Sequence, residues 1–290
     1  MRLSHRTGLL ALFAVLSLAT VLLGAVTCHL AGVATAPWLR NLIAWGVGLA
    51  AGTGLAFGRA AGPRATLAVL LIALVAVAAT FAGEAQEGVH RWIDLGPLHV
   101  NLAFVVLPAA VVALAVTAGR RRWIAAFAVL ALLVAQPDAS QATAFGAAVA
   151  VVAWRGEGTA GRRLGLIALA ALLVAAGWLR PDPLGAVPEV EEIVALAFSL
   201  SPLLAVAAVI AFAVTAAAPA WTTRASPAAT AGLALSAYLL TTGLTTVFGA
   251  FPMPLLGVGM SPVLGVWLGV GLLAAALDRR TPTGEVGAGR

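Results

Sequence analysis

The stretch Gly88-Val89-His90-Arg91-Trp92-Ile93-Asp94-Leu95-Gly96 separates two long apolar runs and holds the densest group of polar side chains near the middle of the chain. Arg91 and Asp94 are three residues apart, so a helical turn would put them on one face. Trp92, Ile93 and Leu95 would then point the other way. The pattern predicts a short amphipathic helical element at a water–lipid boundary, with Trp92 at headgroup level.

The composition identifies the class of protein. Of the 290 residues, 62% are hydrophobic and only 10% are charged. Soluble domains have roughly 25% charged residues, so this chain is expected to be an integral membrane protein that contacts the lipid bilayer. The net charge of +6 comes from arginine alone, because the sequence contains no lysine. The single Cys28 excludes an intrachain disulfide and a cysteine-based metal site.

Ten apolar runs alternate with charged or Pro- and Gly-rich segments. They cover roughly residues 8–28, 41–58, 65–83, 99–117, 123–136, 139–154, 164–179, 193–218, 228–248 and 263–277. The first run follows Arg2 and Arg6 as a signal peptide would, but it exceeds the 7–15 residues of a signal-peptide core, so we expect a retained span. The expected fold class is all-α: a polytopic bundle of about ten transmembrane helices forming one domain, residues 1–290.

The arginines test this number of spans and orient the chain. With ten spans, 14 of the 17 basic residues lie on the side of the termini, and only Arg40, Arg91 and Arg180 lie on the other. The positive-inside rule therefore predicts that both termini are cytoplasmic. Eight of the 11 acids fall on the outer side: Glu84, Glu87, Asp94, Asp138, Asp182, Glu189, Glu191 and Glu192. The polar clusters are accordingly expected to face outward.

Four motifs lie at the ends of these runs. They are Arg91-Trp92-Ile93-Asp94-Leu95-Gly96, Gln136-Pro137-Asp138, Pro188-Glu189, and Pro252-Met253-Pro254-Leu255-Leu256 followed by Gly259 and Ser261. In this order and at these boundaries they resemble motifs of the shape, elongation, division and sporulation (SEDS) family, the RodA/FtsW/SpoVE-like membrane proteins of bacterial wall synthesis. The ten spans of that family agree with the number reached from hydropathy.

The resemblance implies a function in peptidoglycan synthesis, linked to cell shape or cell division, in the bacterial inner (cytoplasmic) membrane. It implies a glycosyltransferase that polymerises the undecaprenyl-diphosphate-linked disaccharide precursor, lipid II, at the outer leaflet. It also implies a single-span transpeptidase partner resembling a class B penicillin-binding protein. No cofactor, metal or nucleic-acid partner is expected. The essential carboxylate of the family falls on Glu192, or on Glu191 if the gap is placed differently.

Glycosyl transfer needs a base for the attacking sugar hydroxyl and support for the diphosphate leaving group. Glu191 and Glu192 are the candidate bases, although acids after Pro188 are equally typical of a plain helix start. Arg91 matches phosphate oxygens through its planar fork, and the alternative is a surface pair with Asp94.

The remaining candidates would bind the substrate. Asp138 lines the site or caps the sixth run, and Gln136 is a polar group at a depth where such groups often line a cavity. Trp92, Pro254 and Ser261 come from the matching motifs. The Pro- and Gly-rich segment 249–262 implies non-helical backbone near the membrane, either in a cavity wall or in an exposed loop. His90 and His99 lack the further ligands of a metal site.

The chain also departs from the family pattern. Where the family has Gln-Pro-Ser-Glu-x-x-Lys, the positions counted from Gly96 are Asn101, Leu102, Ala103, Phe104 and Leu107, so the Glu and the Lys are missing. The large outer loop shrinks to about residues 180–192. These departures leave two alternatives to an active enzyme. One is a non-catalytic scaffold that binds a wall-synthesis partner. The other is a lipid flippase or transporter, which usually carries ionisable groups within its spans.

Overall fold

The computed structural model describes residues 4–58, 62–96 and 98–277. The described part is nearly all helical and contains eleven α-helices and one β-hairpin. The helices are α1 His5–Leu30, α2 Thr35–Phe57, α3 Pro63–Ala79, α4 Leu102–Val116, α5 Arg121–Ala135, α6 Ala139–Arg155, α7 Ala160–Trp178, α8 Ile193–Leu200, α9 Pro202–Thr223, α10 Ala229–Thr245 and α11 Met260–Ala276. A 3-10 turn at Thr80–Ala82 extends α3, and the strands are β1 Trp92–Leu95 and β2 Leu98–Asn101.

The chain is a multi-pass membrane protein. Four helical stretches are long and apolar enough to cross a membrane: His5–Leu30, Arg64–Ala82, Ala160–Trp178 and Pro202–Thr223. Helices α4, α10 and α11 are apolar but shorter. The helices follow the predicted runs, except that the eighth run is divided between α8 and α9. Ser201 is extended there, because Pro202 has no N–H to donate and its ring disfavours a helical residue before it.

The helical element predicted for residues 88–96 is wrong, and the all-α expectation needs that correction. Residues 92–95 of this stretch form the first strand of a β-hairpin, in which Trp92 pairs with Asn101 and Asp94 pairs with His99. Gly96 turns the chain with a φ of +62°, a conformation that glycine adopts without strain. The Arg91–Asp94 surface pair, the alternative left open for Arg91, does not form, because in a strand the Asp94 side chain lies beside His99, with Oδ1 2.5 Å from Nδ1.

All eleven helices contribute to one hydrophobic core. Its largest fully buried side chain is Trp267 of α11, which meets the ring of Phe13 edge to face at a centroid distance of 5.2 Å. Trp45 of α2 packs on another side of the same indole at 6.0 Å. Helix α11 is therefore the central helix against which α1 and α2 pack.

Glycines allow α2 to approach α11 closely. A Cβ added at Gly52 would lie 2.5 Å from the carbonyl oxygen of Trp267, which belongs to the rigid backbone of α11. A Cβ added at Gly54, on the same helix, would meet nothing within 4 Å. Contact between small residues is the usual means by which membrane helices pack tightly.

This contrast yields a stability prediction. We expect Gly52→Ala to lower the free energy of unfolding by about 1–3 kcal/mol, because the added methyl group must separate α2 from α11. Gly54→Ala is the matched control and should leave stability unchanged or raise it slightly, since alanine favours helix. Thermal unfolding of both purified variants in detergent measures the difference. Equal melting temperatures would contradict the proposed close contact.

Candidate functional site at one end of the bundle

Three loops that are far apart in the sequence meet around Arg91, which directly precedes β1. Its Nη2 donates to the carbonyl oxygen of Pro137, between α5 and α6, and to the carboxylate of Asp182, in the loop after α7. Its Nε lies 3.6 Å from Oδ2 of Asp138. Arg91 is only 3% exposed, and its guanidinium also lies 5.8 Å from the centre of the Phe251 ring.

The loop before α8 and the segment before α11 are joined through their backbones. The N–H of Met253 donates to the carbonyl of Val190 over 3.1 Å, and the N–H of Val258 donates to Glu189 over 2.8 Å. A Cβ added at Gly257 would lie 2.1 Å from the carbonyl oxygen of Val190, so only glycine permits this approach. These bonds satisfy non-helical backbone by protein contacts, as a membrane requires.

A side chain of α2 also holds the segment before α11 through two hydrogen bonds. The Asn41 amide donates to the carbonyl of Gly257 over 2.8 Å, and its oxygen accepts from the N–H of Gly259 over 2.9 Å. Residues 253–257 are buried. The Pro- and Gly-rich segment is therefore a packed wall, and its reading as a simple exposed loop is wrong.

The joined segments enclose a cleft made of two adjoining cavities of about 160 and 290 Å³. Both cavities share a common set of wall residues: Gln86, Trp92, Asn101, Phe104, Glu191 and Pro252. Arg91 and Asp138 line the first cavity, and His99 and Ser261 line the second. The predicted site residues Arg91, Trp92, Asp138, Glu191 and Ser261 thus surround one cleft.

Asp138 is both a helix cap and a cleft residue. Its Oδ1 accepts from the N–H of Gln141 over 3.1 Å and caps α6, as its position after Pro137 indicated. Its Oδ2 has no hydrogen-bond partner among the described residues. Burial raises the pKa of the Asp138 carboxyl, and the charge of Arg91 opposes part of that effect.

The two candidate bases have different surroundings. Glu191 lines the cleft, and its Oε2 accepts from the N–H of Val187 over 2.8 Å. Burial is the main cause that raises the pKa of Glu191. The neighbouring charge of Glu189 adds to it, while backbone hydrogen bonds and Arg91 act in the opposite direction. Glu192 is exposed, lies outside the walls of both cavities, and occupies the N-cap position of α8 without capping it through its side chain.

Two other predicted residues lie behind the cleft. Gln136 is fully buried, and its Nε2 donates to the carbonyl of Val77 over 3.1 Å and to the hydroxyl of Thr80 over 2.5 Å, so it ties α5 to α3. Pro254 is buried within the packed wall. Neither residue lines the two cavities.

Sequence reasoning missed three residues of the site. Asp182 was counted only as an acid of the outer loop, although its place between Pro181 and Pro183 marks a carboxylate on rigid backbone. Asn101 connects β2 with α4 and α11, because its side chain caps α4 and its N–H donates to the hydroxyl of Ser261 over 3.0 Å. Phe104 follows as an apolar residue of the cleft wall.

No protein-family model and no curated protein sequence matches this chain. Solved structures do match it. The crystal structure of the rod shape determining protein RodA from Thermus thermophilus has a TM-score of 0.67 at 22% identity, covering 93% of this chain and 97% of that one. A point variant of that protein gives the same values. A chain from work on the structural coordination of polymerization and crosslinking by a peptidoglycan synthase complex has a TM-score of 0.66 at 22% identity, covering 91% and 96%.

These matches confirm the expected resemblance at the level of the fold. The chain folds like RodA over almost its whole length, and that protein is matched over almost its whole length in return.

The contacts of Arg91 predict a pH-dependent loss of stability. We expect Arg91→Gln to lower the free energy of unfolding by about 3–5 kcal/mol near neutral pH, because Asp138 and Asp182 lose the buried cation that compensates them. Removing Arg91 raises the pKa of Asp138 further, so the folded state takes up protons more readily than the unfolded chain. The deficit should therefore shrink as the pH falls.

Thermal unfolding at about pH 8 and about pH 5 tests this expectation. Arg180→Gln is the matched control, because Arg180 is an exposed arginine at the same end of the bundle. Its replacement should change the free energy of unfolding by less than about 0.5 kcal/mol. A deficit in Arg91→Gln that is the same at both pH values would contradict the electrostatic explanation.

Proposed function

We propose that this chain is a divergent, shortened member of the SEDS family that acts in peptidoglycan synthesis in the bacterial inner membrane. The observation that carries the proposal is the single cleft lined by Arg91, Trp92, Asp138, Glu191 and Ser261, which come from separate motifs of the family pattern. The RodA-like fold supports the same assignment. The proposed substrate is the undecaprenyl-diphosphate-linked disaccharide precursor, and the proposed partner is a single-span transpeptidase.

The proposed topology has ten crossings, with α8 and α9 sharing one, both termini in the cytoplasm and the cleft at the outer leaflet. Arginine-rich segments at the other end of the bundle support it. There Arg6 at the start of α1 packs over Phe57 at the end of α2, 5.1 Å from the ring centre. Five of the arginines used for the orientation lie outside the described residues: Arg2, Arg59, Arg279, Arg280 and Arg290.

Cysteine labelling tests this topology. In a Cys28→Ala background, the cysteine of Gly185→Cys should react with a membrane-impermeant thiol reagent added outside the cell, whereas that of Arg155→Cys should not.

Glu191 is the proposed general base. A base works best when its pKa lies near the operating pH, and burial raises the pKa of Glu191 in that direction. Its carboxylate takes the proton of the attacking sugar hydroxyl while that oxygen bonds to the anomeric carbon. The bond to the diphosphate breaks, and the diphosphate leaves with the electron pair. Trp92, whose ring stacks on His99 at a centroid distance of 5.2 Å, lines the cleft beside the base.

Contacts within the protein already engage Arg91, and these contacts limit how strongly its charge can attract the diphosphate leaving group. Its Nη2 is already bonded to Pro137 and Asp182, and Asp138 lies beside its Nε. Two ionised carboxylates outweigh one guanidinium, so the cluster attracts a diphosphate better when Asp138 is protonated. The raised pKa of Asp138 favours that state.

The first functional prediction separates the two glutamates. Purified protein with a candidate transpeptidase should convert labelled lipid II into glycan polymer. Glu191→Gln should lower that rate by about 10²–10⁴-fold, because the base is lost. Glu192→Gln is the matched control and should retain the rate within a few fold. The rate of the unaltered protein should rise with pH through an apparent pKa above that of an exposed glutamate. No polymer from the unaltered protein, or full polymerisation by Glu191→Gln, would remove the enzyme proposal.

A non-catalytic scaffold is the second candidate. Phe104 and Leu107 replace the family's Glu and Lys, and both are buried. The cation at Arg91 is compensated within the protein. A flippase or transporter is less well supported, because the charged residues of the described helices lie within two turns of a helix end, which disfavours ion-coupled transport.

Complementation distinguishes the enzyme from the scaffold. In a host whose own copy is deleted, any defect in shape or division should persist when Glu191→Gln is expressed at normal level in the membrane, because polymer synthesis is lost. Glu192→Gln should restore growth and shape. Full rescue by Glu191→Gln would favour the scaffold, since partner binding alone would then suffice.

A further inference from the structure

A groove lies between α5 and α7 at the arginine-rich end of the bundle, opposite the cleft. It has a volume of about 640 Å³, within the range of sites that hold small organic ligands. Arg120 and Arg162 stand at its mouth. Its walls are apolar and include Trp123, Phe127, Leu166 and Leu169.

The order of residues along both helices separates charge from apolar surface by depth. Phe127 follows Arg120 by seven residues, and Leu169 follows Arg162 by seven residues. At 1.5 Å per helical residue, each apolar side chain lies about 10 Å deeper in the bundle than its arginine. The groove therefore fits a molecule with a charged head at the surface and an apolar chain that runs inward.

The electrostatics of the mouth favour an anion. Helices α5 and α7 both begin at this end, and neither has an acid in its first turn. Their positive dipole ends thus add to the charge of Arg120 and Arg162. Neither guanidinium forms an ion pair with a carboxylate of the described residues. Glu157 is the only acid in segments 117–122 and 155–163, against six arginines.

The nearby Arg122 has a different role. Its Nη1 donates to the carbonyl of Thr117 over 2.5 Å and to that of Leu114 over 3.3 Å, so it holds the end of α4. Its charge also repels Arg162. Arg120 and Arg162 remain available for a ligand, and an anion beside Arg162 would relieve the repulsion between Arg122 and Arg162.

We propose that this groove binds an anionic phospholipid of the surrounding leaflet. The phosphodiester lies between Arg120 and Arg162, and one acyl chain lies along Trp123, Phe127, Leu166 and Leu169. Basic pockets between membrane helices are a general means of binding anionic headgroups. The proposal is independent of the chemistry assigned to the cleft.

Native mass spectrometry of the full-length protein tests the proposal. The protein is equilibrated with equal amounts of phosphatidylglycerol and phosphatidylcholine that carry the same acyl chains, and the retained lipids are counted. We expect phosphatidylglycerol to be preferred by roughly 30-fold, since each basic residue near an anionic headgroup contributes about fivefold. Arg120→Gln/Arg162→Gln should abolish the preference, and Arg120→Lys/Arg162→Lys should keep most of it.

Three controls separate a lipid site in the groove from general attraction to arginine and from binding of phosphate alone. Arg64→Gln/Arg224→Gln removes two exposed arginines outside the groove and should keep the preference. Leu169→Gln should weaken retention of phosphatidylglycerol because it places an amide along the acyl chain. Millimolar inorganic phosphate should not displace the lipid. An unchanged preference in Arg120→Gln/Arg162→Gln, an equal loss in the control pair, or displacement by phosphate alone would overturn the proposal.

Discussion

A buried guanidinium holds the cleft end of this protein together. Arg91 joins the hairpin to the turn after α5 and to the loop after α7, and it is almost fully removed from solvent. A charge in such a place costs several kcal/mol unless opposite charges and hydrogen bonds surround it. Asp138 and Asp182 supply the opposite charges, so the geometry of the cleft and the stability of this end depend on the same cluster.

The positions of most helices could be predicted from the sequence, because apolar runs report which segments avoid water. The hairpin could not be predicted in this way. Four residues are too few to distinguish a period of two from one of 3.6, and Trp92 to Leu95, with three apolar residues and one acid, favour neither period. The division of the eighth run had a local signal in Ser201-Pro202, where proline interrupts helical hydrogen bonding.

The site was predictable to the extent that motifs lie at helix ends. Arg91, Trp92, Asp138 and Ser261 reach the cleft, whereas Gln136 is turned into the core by its bonds to α3. Sequence could not choose between Glu191 and Glu192, because both residues precede α8 and the conformation of this turn decides which side chain lines the cleft. Asp182 was missed as a partner of Arg91 because loop conformation depends on contacts distant in sequence.

The two residues that accept hydrogen bonds from Arg91 lie in loops after two different helices. Pro137 follows α5, and Asp182 follows α7, so the guanidinium spans the gap between these helices. Sliding or tilting one helix against the other would strain these two bonds unless the loop between α7 and Asp182 followed the movement. Bilayer thickness influences the tilt of membrane helices. The carboxylate and carbonyl contacts that compensate Arg91 therefore depend on the relative position of α5 and α7 as well as on the loops themselves.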